Sequence, residues 1–180
     1  GIFNFLNDQG FKSISQRLQN NANVISSPKD EKIENIDNTN YILINSKKDF
    51  EMLLSQIRRQ GYCAIDTETN SLNIEKLKLV GISLCCEEYI SYYIPINHLD
   101  KNTSKRIKEQ LEEKYILKNI KIICEDPSIL KIGQNIKYDI RVLEKYGILL
   151  RSLADTMLMS YSLDNGITKH NMDDLAFMHL

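Results

Sequence analysis

The sequence predicts an α/β fold, a mixed β-sheet flanked by helices, and three observations carry that expectation. From Tyr41 onward, short runs rich in Ile, Val, Leu and Tyr alternate with segments whose apolar residues recur at helical spacing. Three strand candidates follow one another through short connections, which favours antiparallel neighbours, whereas later strands alternate with helices, which favours a mixed sheet. Gly61 and Gly147 stand where two helical patterns stop, the place where a left-handed residue ends a helix.

The elements follow in order. Residues 2–18, "IFNFLNDQGFKSISQRL", hold apolar residues at uneven helical spacing around a Gly and read as one short helix after a turn. Residues 19–40 are dominated by Asn, Ser, Asp, Glu and Lys, and their isolated Ile and Val cannot organise a core, so this stretch reads as a linker. Residues 1–40 are therefore expected to be a tail and polar linker, and residues 41–180 the folded domain. Tyr41–Asn45 reads as a strand. Phe50, Leu53, Leu54 and Ile57 then form a helical core stripe closed by Gly61. Tyr62–Asp66, Leu77–Cys86 and Tyr89–Ile96 follow as strands, the last two joined through Glu87-Glu88 as a hairpin. Thr103–Tyr115 alternates charge and is expected to be a mostly solvent-facing helix. Leu130–Gly133 is a short strand, Tyr138–Tyr146 a helix before Gly147, and Asp155–Leu163 a further helix. A last helix starts at Asn171, which can cap it with Asp174 three residues on.

Composition bounds the function only loosely. With 180 residues, 42% of them hydrophobic and 26% charged, the chain can bury one sizeable core. A formal net charge of −1 excludes a uniformly basic protein that coats nucleic acid, and leaves room for a local basic groove. Cys63, Cys85, Cys86 and Cys124 form no C-x-x-C pair and sit mostly in apolar runs, so they are expected to be reduced thiols of an intracellular protein. No apolar run is long enough to cross a bilayer, and no membrane partner is expected. Gly1, where an initiating Met would stand, is expected of a processed or excised fragment.

Chemistry concentrates in two stretches. The first is "GYCAIDTETNSL", where a strand ends on Asp66 and Glu68. Residues two apart in a strand share a face, so if the strand runs through Glu68 the two carboxylates stand roughly 7 Å apart at their Cβ atoms. Such a pair repels when partly buried, and a hard divalent cation with oxygen ligands would resolve the repulsion. A bare Asp-x-Glu is equally compatible with two hydrated acids at a strand end. The second stretch, "KIGQNIKYDIRVLEKYG", puts Asn135 and Asp139 four apart at the start of a helix, where they would share a face. Helix-dipole stabilisation of Asp139 and N-capping by Asn135 explain them equally well at this level.

Taken together, Asp66-Thr67-Glu68-Thr69 with Ser71-Leu72, and Gly133-Gln134-Asn135-Ile136-Lys137-Tyr138-Asp139, resemble the first two motifs of DEDD-type 3′–5′ exonucleases. The similarity is closer to the proofreading domain of family A bacterial DNA polymerases. It continues through Tyr146-Gly147-Ile148, Asp155-Thr156-Met157-Leu158, Ser160-Tyr161 and His170 to Ala176, covering about residues 41–180. The resemblance implies a ribonuclease H-like fold and two divalent cations, Mg²⁺ or Mn²⁺, held by Asp66, Glu68 and Asp139, with Asp66 bridging both. It implies hydrolysis of the 3′-terminal phosphodiester of single-stranded DNA to nucleoside 5′-monophosphates. Leu72 matches the position that wedges against the terminal base, Thr67, Gln134, Asn135 and Tyr138 match positions around the strand terminus, and Lys169 a basic position near the phosphate. The implied setting is the bacterial cytoplasm, beside a polymerase domain of the same protein, with residues 2–18 resembling the end of a preceding 5′-nuclease-type region.

One departure from the family pattern stands out. The third motif, Tyr-x-x-x-Asp, supplies a fourth carboxylate and falls several tens of residues after the His170–Leu180 match. The chain ends at Leu180, and Tyr161–Asp164 has the wrong spacing. The expectation is a domain lacking its C-terminal end, with weak metal binding and little or no turnover alone. Two other readings stay open: a stand-alone exoribonuclease like ribonuclease D, and a non-catalytic spacer or strand-binding module that keeps the fold. Asp155, Asp173 and Asp174 read as helix caps or first-turn acids, His98 and His179 as surface residues, and Tyr89, Tyr92 and Tyr93 as sheet packing.

Overall fold

A computed structural model describes residues 40–163 and 169–179. The expected helix at 2–18 and nearly all of the expected linker lie outside the described residues. The elements are β1 (Asn40–Leu43), α1 (Lys47–Gln60), β2 (Tyr62–Thr69), β3 (Leu79–Glu87), β4 (Ile90–Pro95), α2 (Glu113–Glu125), β5 (Leu130–Gly133), α3 (Lys137–Lys145), β6 (Leu153–Asp155), α4 (Thr156–Leu163) and α5 (Met172–His179).

The six strands form one sheet in the order β1-β4-β3-β2-β5-β6. β2, β3 and β4 are an antiparallel meander, while β1 joins β4 and β5 and β6 join β2 in parallel. This is the expected mixed sheet, and it puts β2 near its centre. Alternation along β2 buries Cys63 and Ile65, with Thr67 behind them, on one face and turns Ala64, Asp66 and Glu68 to the other. The buried face continues through Ile82, Leu84 and Cys86 of β3 and Ile94 of β4.

Helix α1 covers that core with Phe50, Leu53, Leu54 and Ile57, the stripe its spacing predicts. It begins where Ser46 Oγ accepts the Asp49 N–H at 3.2 Å, and it ends at Gly61, whose φ of 72° only a residue without a Cβ adopts freely. α1 packs against β2, β3 and α2, and α3 packs against β2.

Three expectations need correction. The helix expected at Thr103–Tyr115 is irregular over most of its length, and the helix α2 starts only at Glu113. Asp100 captures the Asn102 and Thr103 N–H groups, and Ser104 takes a φ of 53°, so the chain turns instead of winding. Helical burial is supplied further on, by Ile116, Ile120, Ile123 and Cys124. Secondly, Leu153–Asp155 is a strand, paired with Lys131–Gly133, so the helix expected from Asp155 begins one residue later. Thirdly, β4 starts at Ile90, because Tyr89 occupies the hairpin turn at a φ of 65°.

The cysteines behave as expected: all four are free, with Cys63, Cys86 and Cys124 buried. Lys131 is the unexpected core residue. It is fully buried, and its ammonium donates to the carbonyls of Ile123 (3.3 Å), Asp126 (2.7 Å) and Ile129 (2.6 Å), tying the end of α2 to β5. Among the described residues, no helix is long and apolar enough to cross a membrane.

Candidate active site

Because β2 runs through Thr69, Asp66 and Glu68 share one face of the sheet and both are exposed. Their cross-strand partners on β3 are small: Ser83 opposite Asp66 and Gly81 opposite Glu68. A Cβ on Gly81 would overlap the ring of Tyr93, so the glycine lets this tyrosine of β4 lie across the sheet. The Tyr93 hydroxyl is 3.0 Å from His98 Nε2, which makes His98 a half-buried hydrogen-bonding partner and not the surface residue expected. Burial pushes the Tyr93 pKa up, and the charge of Glu68 adds to that.

The third carboxylate arrives from the side. Pairing of β2 with β5 stops at Ala64 and Ile132, and the Thr67 N–H beyond it is met by Asp139 of α3. Asp139 Oδ1 accepts both the Thr67 N–H (2.9 Å) and the Thr67 hydroxyl (2.6 Å), leaving Oδ2 without a hydrogen-bond partner among the described residues. Asp139 is only 3% exposed; its burial raises its pKa, the two bonds from Thr67 pull it back, and Glu68 adds a smaller upward push. At Asp66 desolvation, then Asp139, then Glu68 push the carboxyl up to about 6. The three acids are thus close enough to feel one another.

An all-carboxylate donor set suits a hard divalent cation such as Mg²⁺ or Mn²⁺. Asp66 and Glu68 are exposed and Asp139 has one oxygen uncommitted among the described residues, so the donor chemistry suits such ions. Among the described residues, no three His, Cys, Asp or Glu side chains stand together closely enough to hold a metal ion by themselves.

The other sequence-predicted residues fall around this centre. Tyr138 follows Lys137 in the first turn of α3, with its hydroxyl 2.5 Å from Thr69 Oγ1 and 3.3 Å from the Ser71 carbonyl, beside the loop that presents Leu72, 86% exposed. Gln134 is committed at both ends of its amide, donating to the main-chain carbonyl of His170 at 2.8 Å and accepting from the Thr156 hydroxyl. It thereby holds the residue next to Lys169, itself exposed. Asn135 and Asp139 do not share a helix face as expected. Asn135 precedes α3 at a φ of 55°, a conformation Asn tolerates, and Ile136 takes the N-cap position, without a side-chain cap bond.

Sequence reasoning missed the breadth of Asp155. It caps α4 as expected, accepting the Met157 N–H at 2.9 Å. It also accepts the N–H groups of Asn135 (3.0 Å) and Ile136 (3.1 Å). The left-handed Asn135 followed by Ile136 turns two successive N–H groups toward one point, and Asp155 is the anion that fills this nest. The turn that launches α3, and with it Asp139, is set by a residue about twenty positions later. His170 was likewise passed over: it is buried, its Nδ1 lies 2.8 Å from Ser160 Oγ, and its ring stacks on Tyr161 with centroids 3.7 Å apart.

A mixed sheet with two acids on its central strand and a third brought by a helix at that strand's end defines an α/β protein of the ribonuclease H-like class. Solved structures share this fold: Escherichia coli RNase D aligns with a TM-score of 0.57 at 20% identity, covering 78% of this chain and 33% of that one. Brucella melitensis NrnC with bound Mg²⁺ aligns with a TM-score of 0.54 at 18% identity, covering 77% of this chain and 59% of that one. The chain belongs to the 3′–5′ exonuclease family found in family A DNA polymerases, whose family model matches residues 41–180. DNA polymerase I of Pseudomonas aeruginosa is 37% identical over 143 residues, covering 78% of this chain. The chain spans 15% of the length of that relative.

Proposed function

We propose that residues 41–180 belong to the exonuclease domain of a DNA polymerase I, following a tail and linker, and that in the whole protein this domain removes nucleotides from the 3′ end of single-stranded DNA as 5′-monophosphates. The observation that carries the reading is the Thr67–Asp139 contact, which delivers a third carboxylate beside Asp66 and Glu68. In this reading Asp66, Glu68 and Asp139 hold two divalent cations, Mg²⁺ or Mn²⁺. Bound there, such ions supply Lewis-acid activation of water and neutralise charge at the departing 3′ oxygen.

The chain's own residues do the rest. Thr67 fixes one oxygen of Asp139 and so aims the other. Leu72 offers an apolar surface to the terminal base, and Tyr138, beside it, a ring edge and hydroxyl. Gln134 anchors the segment carrying the exposed Lys169, whose ammonium can meet a phosphate, and Asn135 lies exposed at the same turn. The partners are a DNA 3′ end and the polymerase portion of the same protein, in the bacterial cytoplasm; the length of the Pseudomonas relative supports that setting.

Calorimetric titration with Mn²⁺ tests the reading, with expected binding that Asp66→Ala or Asp139→Ala weakens at least about tenfold. Absence of Mn²⁺ binding both in this chain and in a longer form of the protein would favour the non-catalytic module instead. The fold shared with RNase D favours one competing substrate. Binding of matched DNA and RNA strands with free 3′ ends decides between them, and preference for RNA would overturn the DNA assignment.

A further inference from the structure

Residues Asn70–Lys78 join β2 to β3 and carry Leu72 on the outside. With no strand beside it, this loop depends on its own hydrogen bonds and on what grips it. Asn70 and Lys78 close its base, through Asn70 N–H to the Lys78 carbonyl at 3.1 Å and Lys78 N–H to Asn70 Oδ1 at 2.7 Å. Beyond Leu72 the chain makes a single helical turn, with the N–H groups of Lys76 and Leu77 both donating to the Asn73 carbonyl at 3.0 and 2.8 Å. One turn of helix leaves its later carbonyls unpaired along the chain and concentrates their negative ends at one place.

Lys145, the last residue of α3, fills that place. Its ammonium donates to the carbonyls of Ile74 (3.2 Å), Glu75 (2.9 Å) and Leu77 (2.8 Å), which uses all three of its protons. Among the described residues it has no carboxylate partner within 4.0 Å, so its charge is spent on the loop alone. The same helix grips the loop at its ends. Tyr138 holds Thr69 and Ser71 on the approach to Leu72, and the Tyr146 hydroxyl accepts the Leu79 N–H at 2.8 Å where β3 begins. The first turn of α3 carries Asp139, bonded to Thr67. One nine-residue helix therefore fixes both a site carboxylate and the loop bearing Leu72.

We propose that Lys145 is a positioning residue that sets Leu72 at a fixed distance from Asp139, and so decides how the terminal base of a single strand is seated. The inference rests on the reading of the site given above. Lys145 touches neither the carboxylates nor the DNA; it acts through the turn Asn73–Leu77. Tyr138 and Tyr146 hold the loop's two ends, and Lys145 is the residue of α3 that holds its middle.

The test uses the whole chain and a single-stranded oligonucleotide with 2-aminopurine either at the 3′ terminus or five positions inside, without metal. Leu72→Ala is expected to abolish the change in fluorescence at the terminal base on binding. Lys145→Met is expected to reduce that change at least about threefold, leaving the internal probe and the Mn²⁺ affinity as in the parent chain. Lys121→Met, which removes another carbonyl-bound lysine away from the loop, is expected to leave both probes unchanged. A parental terminal signal in Lys145→Met, with Leu72→Ala showing the loss, overturns the role of Lys145 and leaves the reading of the site standing. A parental signal in Leu72→Ala overturns both. Equal loss at both probes, or weaker Mn²⁺ binding in Lys145→Met, marks a general structural role and also overturns the inference. If Lys145→Met does not fold, Lys145→Gln, with two protons on a shorter stem, is measured against the same outcomes.

Discussion

Asp66 holds its proton more tightly in the folded chain than in the unfolded one. Burial, Asp139 and Glu68 raise its pKa from 3.8 to about 6, which is an electrostatic cost of gathering acids at one strand end. The sign follows from linkage. The stability this group lends is complete below its ordinary pKa and is lost as pH rises through about 6. Without metal, Asp66→Asn is therefore expected to melt at a higher temperature than the parent chain at pH 7.5, the gap closing toward pH 4. Circular-dichroism melts in chelator check this, and a gap that does not change with pH would refute it. Asp155 matters instead through the hydrogen bonds it accepts. It accepts N–H groups from Asn135, Ile136 and Met157, so Asp155→Ala is expected to cost about 2–4 kcal/mol in urea melts. The same change is expected to weaken Mn²⁺ binding, since the turn leading to Asp139 loses its anchor. The shared face of Asp66 and Glu68 was legible from strand alternation alone. The two partners of Asp155 that matter most to the site were not, because they lie 19 and 20 residues earlier and meet it only through β5–β6 pairing.

At the scale of elements, legibility followed the strength of the apolar pattern. α1 has a clean stripe and a terminal Gly, and it forms where those signals put it. The charged stretch after Asp100 has no such stripe. Its alternating charge fits any exposed conformation, and local capture of N–H groups by Asp100 decided against a helix. β6 is three residues long, too short for a period to show, and it exists because β5 offers an open edge. The buried Lys131 shows the same dependence on tertiary context. A lysine within "LKIG" reads as the polar side of a strand, yet α2 ends above it and presents carbonyls that need a donor. Burial holds its pKa below the usual lysine range, and its three hydrogen bonds keep it in place. Lys131→Met would remove three hydrogen bonds to those carbonyls, of which the Asp126 carbonyl keeps the Ile129 N–H at 3.3 Å, and is expected to destabilise the chain by roughly 2–4 kcal/mol. Urea unfolding checks the loss. Mn²⁺ affinity should be unchanged, because the lysine secures α2 and not the carboxylates.

Across the whole molecule, burial is distributed unevenly. The core gathers around β2, β3 and α1, whose inward residues Phe50, Leu53, Ile57, Cys63 and Ile82 are at most 2% exposed. α4 and α5 contribute no fully buried residue, and they leave Leu163 86% and Phe177 89% exposed. Their helical nature was legible from caps, confirmed by the mutual bonds of Asn171 and Asp174 at 2.8 Å, but their sequences are apolar around much of their circumference. No stripe could say which side faces inward. The helices are held chiefly at single points, by Asp155 under α4 and by His170 between Ser160 and Tyr161 ahead of α5. Elements fixed by few buried groups open by local fluctuation, whereas central strands open only with the whole fold. Native-state amide exchange is therefore expected to be at least about a hundredfold faster at Met159–Tyr161 and Leu175–Phe177 than at Leu53–Ile57 and Cys63–Ile65. His170→Ala should speed exchange in α4 and α5 further while leaving β2 unaffected. Equal protection in α4, α5 and β2 would mean that the described fold opens as one unit, and that the carboxylates, the Leu72 loop and the segment bearing Lys169 move only together.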